Sequence, residues 1–234
     1  MAGAEPRLGP LVHRAVHHGA LLWIVGAVQF VVAMAVVEWR WTTAYSLRTN
    51  YISDLGNTQC GDWPHAASSY VCSPWHSVFN GSIIVLGLLV ILGALLLRSA
   101  FPSRSSRSVG LLLLILAGLG SIGVGLSPEN VNIQIHTVSA LLSFAGGNLA
   151  LIVLGFVMFR DTRWDGYRAY SMFSGLVGLI ALALFSTHVY LGLGVGGMER
   201  LIVAPLLLWL VVASIHLLRI PTFAPRIIPK SPGV

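Results

Sequence analysis

The chain has 234 residues, 56% of them hydrophobic and 9% charged, with a mean hydropathy of +0.81 and a formal net charge of +6. An ordinary soluble domain carries about 25% charged residues, so a soluble globular fold is excluded. No low-complexity polar tract is present, which excludes global disorder and leaves a polytopic membrane protein.

A helix that crosses a bilayer needs roughly 20 mostly apolar residues. Six segments meet that requirement, at about 16–38, 76–98, 108–127, 135–159, 168–190 and 199–219. Continuous apolar runs such as Ile83 to Leu97 and Leu111 to Leu116 select helices. The strands of a membrane β-barrel would alternate over about ten residues instead. The predicted fold class is therefore all-α: a single six-helix membrane domain over residues 1–234, with no internal repeat.

The first span is long for a signal peptide. Glu38-Trp39-Arg40-Trp41 follows it where a small-residue cleavage site would sit. Those tryptophans read as interfacial anchors. Arg98 and Pro102 end the second span, Arg160-Asp161 the fourth, and Arg219 and Pro221 the sixth. Pro205 is expected in the first two turns of the sixth span, where its missing N–H matters less. Gln29 and Asn148 lie deep in their spans and are expected to bridge helices by hydrogen bonds. Gly118, Gly120, Gly123, Gly125 and the Gly146-Gly147 pair are expected to permit close helix packing.

Charge then sorts the connections. Eleven of the fourteen basic residues fall on the side that carries both termini: Arg7, Arg14, Arg98, Arg104, Arg107, Arg160, Arg163, Arg168, Arg219, Arg226 and Lys230. With Glu5, Asp161 and Asp165 that side has a net charge of +8. The other side holds Arg40, Arg48 and Arg200 against Glu38, Asp54, Asp62, Glu129 and Glu199, a net of −2. The positive-inside rule places both termini in the cytoplasm of a multi-pass plasma-membrane protein. The basic inner side suits anionic lipid headgroups, so membrane lipids are the expected partners. No basic stripe with interleaved aromatics points to nucleic acid.

The outer side collects the polar chemistry. The longest connection, 39–75, carries Cys60 and Cys72, and a disulfide between them would persist outside the cytoplasm. His65, His76, His136 and His188 all map to this side, with Asp54, Asn57, Asn80, Glu129, Asn130, Asn132, Gln134 and Glu199. His76 and Asn80 are four apart and share one helix face. His136 opens the fourth span and His188 closes the fifth. Imidazoles at His76, His136 and His188 could hold zinc, with a carboxylate or water completing a tetrahedral site. A His and an acid could act as general base and acid. Haem between His76 and His136 fits less well. A purely structural use of each histidine, hydrated at headgroup depth or capping a helix end, stands beside these readings. The compact HExxH spacing of a zinc hydrolase is absent.

The run Asn50-Tyr51-Ile52-Ser53-Asp54-Leu55-Gly56, the step Val78-Phe79-Asn80-Gly81 with Gly87, and then Gly123-Val124-Gly125, Glu129 and His136-Thr137 resemble domain-of-unknown-function family 998. That family comprises small bacterial and archaeal membrane proteins with about six helices, and no activity is established for it. The resemblance covers the chain from the first span to the fifth. It implies that Asp54, Asn80 and His136 belong to one site. The Cys60–Cys72 stretch departs from the simpler family pattern and reads as an insertion, a lid over the site.

The candidate catalytic residues are therefore Asp54, His76, Asn80, Glu129, His136 and His188, and the candidate metal ligands His76, His136 and His188. Three functions remain open at this point. One is an enzyme acting on a lipid or lipid-linked substrate. Another is a non-catalytic accessory subunit or a binder of lipids or small ligands. The third is a single-haem cytochrome.

Overall fold

The computed structural model describes residues 10–42, 44–63, 69–159 and 161–220. His65 and the charges Glu5, Arg7, Arg160, Arg226 and Lys230 lie outside the described residues.

Inside a bilayer no water can satisfy backbone N–H and C=O groups, so a spanning segment must close its hydrogen bonds on itself. The long apolar runs do so as α1 (Pro10–Trp39), α2 (His76–Leu96), α3 (Ser105–Leu126), α4 (Ile133–Val157), α5 (Tyr167–Ser186) and α6 (Gly194–Arg219). All six are long and apolar enough to cross a membrane. α1 opens on Pro10, whose missing N–H costs nothing in a first turn. Asn132 caps α4, its side chain accepting from Ile135 N–H at 3.1 Å.

Each helix packs on the next, α6 returns to α1, and α4 also touches α6. Short connections make consecutive helices antiparallel. The 39–75, 127–132 and 187–193 connections therefore gather at one end, called here the loop end. Large apolar side chains such as Leu88, Leu92, Leu112, Leu119 and Val138 point outward and are exposed. An apolar belt of that extent needs a lipid neighbour.

Aromatic pairs anchor the interior. Trp23 and Trp209 join α1 to α6 with ring centroids 5.5 Å apart, and Phe30 meets Phe79 of α2 at 5.7 Å. Trp164 stacks on Phe101 at 5.2 Å at the end opposite the loop end. The two deep amides do bridge helices: Gln29 donates to the Ser82 carbonyl at 2.9 Å, and Asn148 to the Ile202 carbonyl at 3.1 Å. The third-span glycines serve as expected: a Cβ on Gly120 would lie 2.5 Å from the Ser139 carbonyl oxygen of α4, and Gly118 faces Gly87 of α2. A Cβ on Gly87 would lie 2.4 Å from the Gly118 carbonyl oxygen, backbone against backbone.

Four sequence expectations are corrected. The first helix starts at Pro10 rather than 16, which takes His13, Arg14, His17 and His18 into it. The fifth ends at Ser186 rather than 190, and so leaves His188 in a connection. The sixth starts at Gly194 rather than 199, so Glu199 and Arg200 sit in its second turn. Pro205 then falls in the helix interior, depriving the Leu201 carbonyl of its donor. The Asn148 amide supplies a donor to the carbonyl after it, in the way neighbouring helices compensate proline in a membrane.

The 39–75 connection also contains two short strands, β1 (Gly61–Trp63) and β2 (Ser69–Val71), paired antiparallel with Asp62 opposite Tyr70. Cys60 and Cys72 flank them and form the expected disulfide. In the chain-entropy picture such a bond is worth about 3 kcal/mol, confined to its own loop. A Cys60→Ser/Cys72→Ser protein is expected to keep its helical circular dichroism and melting midpoint while limited proteolysis cuts the 39–75 connection faster.

Candidate functional site

The loop end is held by residues of the 44–57 segment seated on α6. The seat exists because Gly196 has no side chain: a Cβ there would lie 2.0 Å from the Asn50 carbonyl oxygen and 2.7 Å from that of Leu47. The Gly196 N–H donates to the Arg48 carbonyl at 3.0 Å. One turn on, the Arg200 fork fastens the same segment. Its Nη1 donates to the Asn50 carbonyl at 3.0 Å, and its Nη2 to Glu38 Oε1 at 3.0 Å and to the Tyr45 hydroxyl. Burial pushes the Tyr45 pKa above its ordinary value against the lowering pull of the Arg200 guanidinium. The hydroxyl keeps its proton and donates it to the Tyr51 carbonyl at 3.1 Å.

Behind that clamp the chain makes a compact turn around Asp54. The Asp54 side chain is fully buried, and its Oδ2 accepts from Asn50 Nδ2 and from Tyr51 N–H, both at 3.0 Å. Ser53–Gly56 form one 3-10 turn. Neighbouring helices read this turn through its polar groups. Glu129, between α3 and α4, accepts from Ser53 Oγ at 2.8 Å and from Asn57 Nδ2 at 2.9 Å. Asn80 of α2 donates to the Gly56 carbonyl at 2.9 Å. Ser73 donates to the Leu55 carbonyl at 2.7 Å. Glu199 of α6 accepts from Ile52 N–H.

Asp54, Asn80 and Glu129 thus converge on residues 50–57. His136 approaches from α4 and is buried, 8% exposed. Its Nδ1 meets the Ser127 carbonyl at 2.9 Å. A carbonyl can only accept, so Nδ1 carries the proton, and Nε2 is the ring nitrogen left for another partner. His76 has the same relation to the Ser73 carbonyl at 2.9 Å. His188 stands apart. It is exposed, its backbone is left-handed at φ 57°, and its Nδ1 meets the Tyr190 hydroxyl at 3.0 Å.

The three imidazoles are therefore not assembled into one metal site. Among the described residues no group of three His, Cys, Asp or Glu side chains is placed to hold a metal ion. The physical reason is the early end of α5, which puts His188 on the surface of the connection instead of facing His136.

Beneath the turn lies a cavity of about 60 Å³. Its walls are mainly apolar, from Phe30, Phe79, Leu86, Val124, Leu206 and Leu210 among others. At the loop end it is closed by Ser53, His136 and Glu199. Further along its wall lie Asn148 and the hydroxyls of Ser121 and Ser143, which bond to each other at 3.0 Å. Glu199 is 6% exposed, the one acid among the described residues that line this cavity. Sequence reasoning placed Glu199 on the outer side but not among the site residues. The usable signal was an acid held inside an apolar helix, which marks a functional position in membrane proteins.

The family model described as protein of unknown function (DUF998) matches residues 24–216, and the chain belongs to that family. No curated protein and no solved structure matches the chain.

Proposed function

We propose that this multi-pass membrane protein binds an amphiphilic, lipid-like molecule. The polar head is received by Ser53, His136 and Glu199; the cavity of about 60 Å³ takes the head and the first carbons of the chain, and the rest extends between the helices into the bilayer. The observation that carries this reading is the cavity itself, mainly apolar, with an acid, an imidazole and a hydroxyl gathered at its loop end. Ligand sites of this kind are mostly apolar, with a few placed polar groups to fix orientation. The polar end faces the outside of the plasma membrane in this reading, with both termini cytoplasmic. The excess of basic residues on the opposite side and the Cys60–Cys72 disulfide support that orientation.

A second reading, chemistry on the bound lipid, draws on one further observation. Ser53 Oγ donates to Glu129 at 2.8 Å while lining the same cavity as His136, so a hydroxyl, a carboxylate and a basic ring nitrogen share one end. A serine-directed fluorophosphonate is expected to label the wild type but not Ser53→Ala if that reading holds. An unlabelled wild type leaves binding alone.

The test of binding is to fill the cavity. Ala140 lines it, and phenylalanine there would occupy the space. Wild-type protein purified in detergent is expected to retain lipid-sized adducts in native mass spectra, and Ala140→Phe to lose them with helical content unchanged. A ligand at a hundred times its Kd stabilises by about 2.7 kcal/mol, which is readable as a thermal shift. Equal adducts on both proteins would sink the proposal.

A further inference from the structure

We infer that the molecule held in this cavity carries a cationic ammonium head on an apolar chain, and that Glu199 is its counter-charge. The inference rests on the amphiphile reading above and adds the chemistry of the head. Among the described residues that line the cavity Glu199 is the only acid, and none is Lys or Arg. Arg200 is the next residue in sequence but leaves α6 on another face, where Glu38, Tyr45 and the Asn50 carbonyl engage it. The donor that holds Glu199 is the neutral Ile52 N–H.

A phosphate or carboxylate head entering here would find no cation among the described lining residues to pair with, and burying an unpaired anion is costly. An ammonium group is the opposite case. It has three N–H donors and no acceptor. The loop end of the cavity offers acceptors: the Glu199 carboxyl oxygens and the Ser53 hydroxyl oxygen, whose proton is already given to Glu129. An uncharged alcohol could use one or two of these but would form no charge-assisted bond.

The experiment compares dodecylamine, dodecanol and dodecanoic acid as ligands of the full-length protein in a neutral detergent, read by thermal shift and by displacement of a fluorescent amine. Wild-type protein is expected to bind the amine about tenfold or more tightly than the alcohol, the value of a charge-assisted hydrogen bond, and the acid most weakly. Glu199→Gln keeps an acceptor for Ile52 N–H and is expected to bind amine and alcohol alike. Alcohol or acid binding as tightly as amine to the wild type overturns the inference and leaves the amphiphile reading standing. Unchanged amine preference in Glu199→Gln does the same. If none of the three binds, the amphiphile reading fails and takes the inference with it. Phosphatidylethanolamine in mixed micelles separates the sources of the head. Competition with the amine supports a membrane amino-lipid, and no competition supports a free long-chain amine.

Discussion

Replacing Gly196 by alanine is expected to unseat the 44–57 segment and to cost the folded protein about 3 kcal/mol or more. The added Cβ would lie 2.0 Å from the Asn50 carbonyl oxygen and 2.7 Å from the Leu47 carbonyl oxygen. Both are backbone atoms, so no rotamer change relieves the clash. Overpacking of this kind costs typically about 1–3 kcal/mol even where side chains can give. The damage would spread, because the same Asn50 carbonyl is an acceptor of Arg200 and the same segment carries Ile52 to Glu199. A thermal melt in detergent should fall by several degrees, and proteolysis within 39–75 should accelerate. Ligand binding should be lost with it, because the polar end of the cavity is built on Ser53. Gly81→Ala is the matched control in α2. A Cβ there meets nothing within 4 Å, so stability should stay or rise by up to about 1 kcal/mol from helix propensity. A Gly196→Ala protein as stable as the Gly81→Ala control would show that the seat does not hold the loop.

That comparison also shows what could be read from the residues and what could not. The six helices were legible because each needs only length and apolarity, which are local properties. Their ends were not. The run Gly194-Val195-Gly196-Gly197 has the composition of a helix breaker, yet it is the first turn of α6. Close approach of the Asn50 backbone requires the glycine there, and this long-range contact overrides propensity. Misplacing that end hid Glu199, which looks like a surface acid if the helix starts at 199. In the fold it stands in the second turn and lines the cavity. Depth in the membrane was also legible for the histidines, but facing was not. His136 and His188 both belong to the loop end, and only His136 lines the cavity. Which way a side chain turns depends on where the helix stops, and that was set by contacts far away in sequence.

Asp54 is the position where folding and function are hardest to separate, and its variants should separate them. A Ser-Asp-Leu-Gly run can build a turn or bring a carboxylate to a reaction site. In the fold the side chain is fully buried and accepts from Asn50 Nδ2 and Tyr51 N–H, each at 3.0 Å. Removing a buried acceptor leaves its donors unpaid for, at about 1–3 kcal/mol, and more where a charge held them. Asp54→Ala is therefore expected to lose about 3–5 kcal/mol, the cost of breaking a buried charged network. Asp54→Asn can set its carbonyl oxygen where Oδ2 accepts both bonds, so it gives up only their charge-assisted part and should lose about 1–2 kcal/mol. Because Ile52 and Ser53 hang from this turn, amine binding should weaken in step with the melting midpoint across the series Asp, Asn, Ala. A carboxylate that served only the ligand would give a different pattern: Asp54→Asn would abolish binding at an unchanged midpoint. Measuring both quantities on both variants decides between the two roles.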